Sequence, residues 1–163
     1  MKRINSYFLV LFLLSLSILS SCGGGGGGGD DTPQLTPEEQ RLVDLAGTSS
    51  GVTWATTSVT FDGASSDFFA DLTLTIRGTA TSKTYTSTNG SPLFGASGTW
   101  DFNGSNINQI IFDGDDGNIY SINLNASATP ATLTMTVNYT ASGGVAAGIN
   151  GADGTYVFNM EKQ

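Results

Sequence analysis

The chain has 163 residues, which is enough for one domain with a single core. Histidine is absent and cysteine occurs once, so His-based catalytic triads, zinc sites built on His or several Cys, and disulfides within the chain are excluded. Charged side chains make up 12% of the residues, and the net charge is −8 at pH 7. We therefore expect a non-catalytic protein without a cofactor, whose acidic surface does not bind nucleic acid.

The first 21 residues have the pattern of an export signal. Lys2 and Arg3 precede a nearly unbroken apolar run over residues 7–19, which is too short to form a helix that spans a membrane. The sequence Leu19-Ser20-Ser21-Cys22 resembles the bacterial lipobox, in which the cysteine thiol is acylated and the cysteine becomes the first mature residue. We predict a lipoprotein signal peptide over 1–21 and a lipid anchor on Cys22.

Residues 22–35 are predicted to be a tether that follows the lipidated cysteine. Seven glycines directly after Cys22 cannot form a packed element. Each acyl CH₂ that is buried in the bilayer contributes about 0.8 kcal/mol of binding free energy, so the acyl chains hold such a protein to a leaflet. Gly23 beside the cysteine resembles lipoproteins sorted to the outer membrane. Asp30 and Asp31 resemble surface-export signals, although a solvated linker explains them equally well. The predicted location is the outer membrane, facing the periplasm or the cell surface.

The sequence Thr36-Pro37-Glu38-Glu39 predicts the start of a short helix. Thr is a preferred N-cap, Pro suits the first helical position, and a Glu three residues after the cap completes a capping box. Leu42, Val43, Leu45 and Ala46 give this helix one apolar side, and Gly47 is placed to end it. The folded domain is expected to cover residues 36–163.

From there on, apolar residues alternate with polar ones, and turn dipeptides separate the segments, which predicts eight strands. In the first strand the apolar face changes between Trp54 and Val59, which predicts a bulge near Thr56 and Thr57. The remaining strands are expected near 68–77, 81–88, 96–102, 107–112, 120–124, 132–139 and 156–160, with turns at Asn89-Gly90, Asn103-Gly104 and Asp113 to Gly117.

Eight sequential strands joined by tight turns predict an all-β, eight-stranded antiparallel up-and-down barrel, because closure hides the strand edges. A two-sheet sandwich is the main structural alternative, but it normally needs longer crossovers. A membrane-spanning barrel is a second alternative, although its apolar face would point to lipid and an added lipid anchor would be redundant.

Several short motifs resemble the lipocalin-like domains of bacterial lipoproteins. They are Leu45-Ala46-Gly47-Thr48, a following Trp54, Val59-Thr60-Phe61-Asp62-Gly63, Gly98-Thr99-Trp100, and a final Gly-Thr-Tyr-x-Phe strand over 154–158. The resemblance covers about residues 36–163. It implies a calycin-type barrel able to hold an apolar small molecule.

One face of the predicted strands is apolar and free of charge, and it is expected to point into the barrel. Its members are Phe68, Leu72, Leu74, Ile76, Trp100, Phe102, Tyr120, Ile122, Leu124, Leu133, Met135, Val137, Tyr139, Tyr156, Phe158 and Met160. The candidate ligand-binding residues among them are Phe68, Leu72, Leu74, Trp100, Phe102, Tyr120, Ile122, Met135, Val137, Tyr139, Tyr156 and Phe158. They line a pocket for an apolar or neutral small molecule, or they fill a solid core of a structural or interaction protein.

Two further groups of polar residues are candidate sites. Asp113, Asp115 and Asp116 form an acidic loop that resembles a calcium loop, but the EF-hand spacing fails, and a solvated hairpin turn is the favoured interpretation. Lys83 near Ser82 is interpreted as ordinary surface chemistry. No motif pairs an acid with a base, so no catalytic residue and no metal ligand is predicted.

Overall fold

The computed structural model describes residues 34–47, 50–140 and 153–163. This part of the chain is an eight-stranded closed antiparallel barrel with one short helix, which confirms the predicted fold class. The predicted signal peptide, Cys22 and nearly all of the tether lie outside the described residues.

The elements follow one another as a meander. They are helix α1 (Pro37–Ala46) and strands β1 (Val52–Phe61), β2 (Ala64–Ser66), β3 (Thr73–Thr79), β4 (Ser82–Thr88), β5 (Ser97–Asn103), β6 (Asn106–Phe112), β7 (Tyr120–Asn125), β8 (Thr132–Tyr139) and β9 (Gly154–Lys162). From β3 to β9 each strand pairs with the next, and β1 pairs with both β3 and β9 to close the barrel. The short β2 pairs with the C-terminal end of β1, whereas β3 pairs with its N-terminal end. We therefore do not count β2 among the eight strands of the barrel.

Because neighbouring strands are antiparallel, alternate connections lie at opposite ends of the barrel. We call one end the loop end, which carries residues 62–72, 89–96 and 113–119 together with residues 140 and 153. We call the other the helix end, which carries α1 and the connections 80–81, 104–105 and 126–131. The two ends are built differently.

Helix α1 begins as the sequence predicts. The Thr36 hydroxyl accepts a hydrogen bond from the Glu39 backbone N–H at 3.2 Å, and the Glu39 carboxylate accepts one from the Thr36 backbone N–H at 2.8 Å. These bonds with Thr36 stabilise the charged carboxylate and lower the pKa of Glu39. The helix ends at Gly47, whose φ of 68° suits a residue without a side chain.

The helix covers its end of the barrel. Leu42, Leu45 and Ala46 are buried, and the indole N–H of Trp54 donates a hydrogen bond to the Leu45 carbonyl at 3.0 Å. Gly78 in β3 has no side chain to obstruct the helix, because a Cβ there would lie 2.6 Å from a Leu42 methyl carbon. The close approach of α1 to β3 therefore depends on this glycine.

The seam between β1 and β9 contains the predicted bulge. Their register shifts between Thr56 and Ser58, which confirms the irregularity inferred from the change of apolar face. As a result Trp54 and Val59, which differ by an odd number of positions, are both buried in the core. The bulge lets one long strand keep an apolar inner face on both sides of the bend.

Most residues of the predicted inner face are buried. Leu124 and Tyr139 are partly buried and pack against the core. Phe68 is 67% exposed, so the prediction that it faces inward is wrong. Residues 68–71 form a turn instead of a strand, and Phe69, with a φ of 64°, packs against the core in place of its neighbour.

The connection after β4 also differs from the prediction. Asn89 has the expected positive φ of 57°, but the chain does not turn back at Asn89-Gly90. It continues through residues 89–96, and Leu93 and Phe94 from this connection are buried in the core. The predicted tight hairpin is therefore wrong, and the longer connection supplies side chains that cover the loop end.

Candidate functional site

The structure brings eleven of the twelve candidate ligand-binding residues onto the inner face or its margin. Leu72, Leu74, Trp100, Phe102, Tyr120, Ile122, Met135, Val137, Tyr156 and Phe158 are buried, Tyr139 is partly buried, and Phe68 lies outside. No charge is carried by these eleven side chains. Whether they bind a ligand depends on the space that they leave.

Aromatic rings occupy the space between the strands. The ring of Phe94 lies 5.3 Å from that of Tyr120 and 5.9 Å from that of Phe158, so residues of the 89–96 connection, β7 and β9 meet inside the barrel. Further ring pairs join Tyr85 to Phe112 at 4.9 Å, Phe112 to Tyr120 at 5.0 Å, Phe69 to Phe158 at 5.8 Å and Phe61 to Tyr156 at 4.8 Å. Contacts at these distances are those of a packed aromatic core.

A small pocket lies at the loop end, over this core. Its volume is about 160 Å³. The wall is part apolar, part aromatic and part acidic, and its residues are Pro92, Leu93, Gly95, Phe112, Asp113, Asp115, Asn118, Tyr120 and Tyr139. Two of them, Tyr120 and Tyr139, belong to the predicted ligand-binding set. The volume is below the roughly 300–1,000 Å³ typical of drug-sized ligand sites.

Asp113 is held in place by two donors. The Tyr85 hydroxyl donates to one of its carboxylate oxygens at 2.6 Å, and the Thr99 backbone N–H donates to the other at 2.8 Å. The Tyr85 oxygen in turn accepts a hydrogen bond from the Gly95 backbone N–H at 3.1 Å. This network ties the connection 89–96 to the acidic loop 113–117.

Asp115 is fixed by its own loop. The Asn118 side-chain amide donates to it at 2.6 Å and also donates to the Thr140 carbonyl at 3.1 Å, while its oxygen accepts from the Thr140 backbone N–H at 2.8 Å. Asn118 is buried, and these partners satisfy its amide. The two carboxylates at the pocket therefore stand in defined positions.

The tyrosines around the pocket are held in their neutral form. Burial raises the pKa of Tyr120, and the nearby Tyr139, Tyr85 and Asp115 add to the rise. Burial also raises the pKa of Tyr139, with further contributions from Asp115 and Asp153. Both shifts arise chiefly from burial, which disfavours the charged phenolate, and the nearby acids add to them.

Charge is distributed unequally between the two ends. Seven ionisable acids of the described residues belong to the loop end; they are Asp62, Asp67, Asp71, Asp113, Asp115, Asp116 and Asp153. The four basic side chains of the described residues are nearer the helix end; they are Arg41, Arg77, Lys83 and Lys162. The loop end is therefore an acidic pole.

A second, shallower groove of about 440 Å³ runs beside β4 and β5. Lys83 borders it, forms an ion pair with Asp101 at 2.9 Å, and lies 5.9 Å from the centre of the Phe102 ring. The Lys83 side chain is only 14% exposed. Lys83 lies on the same face of β4 as the buried Tyr85, and its ammonium group is paired with the exposed Asp101 carboxylate.

The acidic loop does not gather ligands for a metal ion. Asp113 and Asp115 accept hydrogen bonds from different donors, and Asp116 is exposed. Among the described residues, no group of three or more His, Cys, Asp or Glu side chains is arranged to hold a metal. The loop is better described as a hydrogen-bonded turn, in which Asp113 and Gly114 both adopt positive φ.

Two contributors to this region were not identified from the sequence. Phe94 was missed because it lies outside any strand, although an apolar pair directly after Pro92 is a signal that a loop folds inward. The link between Tyr85 and Asp113 was missed because the two residues are 28 positions apart and nothing in either segment specifies the pairing.

Comparison with protein-family models, with curated proteins and with solved structures found no match to this chain. In the described residues, no helix is both long and apolar enough to cross a membrane. The site must therefore be interpreted from its own geometry.

Proposed function

We propose that this chain is a lipid-anchored, non-catalytic protein of the bacterial cell envelope, whose barrel is a solid scaffold that acts through its surface. The observation that carries the proposal is the chain of aromatic contacts across the barrel, from Tyr85 through Phe112, Tyr120 and Phe94 to Phe158. Rings that touch one another across the interior leave little room for a guest of ordinary size.

The resemblance of residues 19–22 to a lipobox supports the anchor. The predicted tether of 14 residues enters the barrel at α1, so the helix end is the tethered end.

The anchor is tested by fractionation of cells that express the full chain. Cys22→Ala removes the only thiol, so we expect the variant to lose lipid labelling and to leave the membrane fraction. Ser21→Ala is the matched control, because it keeps a small residue before the cysteine and is expected to remain lipidated. If the Cys22→Ala protein still sediments with the envelope, the anchor is not this cysteine.

The solid core is tested by native mass spectrometry of protein released from the membrane, followed by solvent extraction. We expect the mass of the polypeptide with its anchor alone, and no uptake of fatty acids or hydrophobic dyes. An apolar adduct that disappears on Trp100→Ala would instead show an interior binding site.

A second candidate function is the carriage of an apolar or neutral small molecule, as the lipocalin-like resemblance implies. The specific observation in its favour is that Tyr120 and Tyr139, both of the predicted inner face, border the pocket at the loop end. A guest of this kind would enter from that end, so an adduct that is lost on Tyr139→Leu would favour this second function.

A further inference from the structure

The loop-end pocket combines two features that recognise the same chemistry. Its wall includes Phe112, Tyr120 and Tyr139, whose rings carry negative charge density on their faces, and the carboxylates of Asp113 and Asp115. Aromatic rings with adjacent carboxylates are the surroundings that organic cations prefer. A neutral apolar guest would not need the carboxylates, and an anionic guest would be repelled by them.

The carboxylates are placed before any ligand arrives. Asp113 accepts from Tyr85 and Thr99, and Asp115 accepts from Gly117 and Asn118. All four partners are neutral donors, so the hydrogen bonds orient the carboxylates and leave their charge in place. A cation entering the pocket meets fixed negative charge and pays little to order it.

The surrounding charge favours the same kind of ligand. Every ionisable acid of the loop end adds to a negative field, and the four basic side chains of the described residues lie toward the other end. A pocket at an acidic pole concentrates small cations from solution. The pocket volume of about 160 Å³ suits a compact group with a few carbon atoms.

We propose that the loop-end pocket binds a small organic cation, such as a trimethylammonium group, between the rings of Tyr120 and Tyr139 and the carboxylates of Asp113 and Asp115. The proposal does not rest on the lipid anchor, and it requires no cavity inside the barrel, because the pocket lies over the packed aromatic core. A cation that carries a phosphate is disfavoured, because no basic side chain of the described residues lies at the loop end to receive it.

The test is calorimetric titration of the purified full-chain protein, in a non-ionic detergent, with choline chloride as the probe. The neutral isostere 3,3-dimethylbutan-1-ol has the same shape without the charge, and we expect it to bind at least about tenfold more weakly. Phosphocholine is also expected to bind more weakly than choline. Equal binding of choline and the alcohol, or no choline binding at 10 mM, would overturn the proposal.

Two matched variants separate direct contact from the general field. Asp115→Asn and Asp116→Asn remove the same charge from the same loop, but only Asp115 borders the pocket. We expect Asp115→Asn to weaken choline binding about fivefold or more and Asp116→Asn to change it less than twofold. Equal effects of the two variants would contradict a local site.

Replacing the aromatic Tyr139 provides a second test in case Asp115→Asn disturbs the loop. Tyr139 is only partly buried, so Tyr139→Leu should fold, and we expect it to weaken choline binding about fivefold or more while leaving the alcohol unaffected. The melting temperature of each variant is measured first. Unchanged choline binding in folded Tyr139→Leu protein would show that the rings do not form the site.

Discussion

Single residues at the loop end fit one another closely, and Gly98 is the clearest case. The Asp113 carboxylate lies over Gly98, in the space that a Cβ would occupy. The same carboxylate accepts hydrogen bonds from the hydroxyl of Tyr85 and from the backbone N–H of Thr99. The absence of a side chain at position 98 is therefore a condition for the whole network.

This fit gives the first prediction. Gly98→Ala should lower the free energy of unfolding by about 1–3 kcal/mol, because the new methyl group displaces the Asp113 carboxylate from its donors. Gly117→Ala is the control, since its nearest neighbour would be a carboxylate oxygen of Asp115 at 3.1 Å. Urea denaturation measures both, and equal losses would show that the Asp113 network contributes nothing particular.

Tyr120 gives a prediction about alkaline pH. Its hydroxyl is buried and donates to the Leu93 carbonyl at 3.2 Å, and burial raises its pKa above the ordinary value of 10. The folded protein therefore holds this proton more tightly than the unfolded chain does, so the contribution to stability is complete below pH 10 and decreases as the pH rises further.

We expect the free energy of unfolding to fall above pH 10, with Tyr120 contributing up to about 1.4 kcal/mol per pH unit. Tyr120→Phe removes the titrating group and should flatten the decline, even though it loses one hydrogen bond. Urea denaturation from pH 8 to 11 tests this. An identical slope in the variant would mean that Tyr120 does not control the alkaline limit.

At the scale of elements, helix α1 packs closely on β3 because Gly78 has no side chain. A Cβ on Gly78 would lie 2.6 Å from Leu42, 3.2 Å from Trp100 and 3.3 Å from Ala46. Gly78→Ala should therefore push the helix outward and cost about 1–3 kcal/mol of stability.

The double variant isolates the contact. Leu42→Ala makes room for a methyl group at position 78. The double variant Gly78→Ala/Leu42→Ala should therefore lose less unfolding free energy than the sum of the losses in the two single variants, by at least about 0.5 kcal/mol. Leu42→Ala combined with Gly98→Ala, at the opposite end, should be additive. Additivity in both pairs would show that Gly78→Ala destabilises the protein through the backbone of β3 and not through a clash with Leu42.

The elements also show how far the sequence could predict this fold. Alternation of apolar residues was sufficient for β8 and β9, because a period of two directly specifies which side of a strand is buried. The capping box specified α1, and the change of face around Thr56 specified the bulge. Each of these signals is local to one element.

The connections could not be predicted in the same way. Phe68 and Phe69 are chemically identical, and only the turn at 68–71 decides which one packs inward. Phe94 enters the core because space remains at the loop end, a property of the closed barrel as a whole. The pocket combines residues of β6, β7, β8 and two connections, so the candidate site was accessible only in part, through Tyr120 and Tyr139.

At the scale of the whole molecule, the seven acids of the loop end carry charge of the same sign and repel one another. Raising NaCl from 10 to 150 mM shortens the Debye length to about 8 Å and should raise the melting temperature by about 2–4 °C. CaCl₂ at equal ionic strength should give a similar rise, because no three carboxylates of the described residues converge. A much larger rise with calcium would show that the acidic loop binds the ion.

The pairing of β1 with β9 has a consequence for the order in which the fold is made. It joins Trp54 to Lys162 and Phe61 to Tyr156, so closing the barrel means closing a loop of roughly 100 residues, at an entropic cost of about 4 kcal/mol. Until residues 154–162 have been synthesised, β1 and β8 both present open edges, and no amount of pairing among the earlier strands can complete the barrel. Closure of the barrel therefore has to wait for β9, however early the other strands pair.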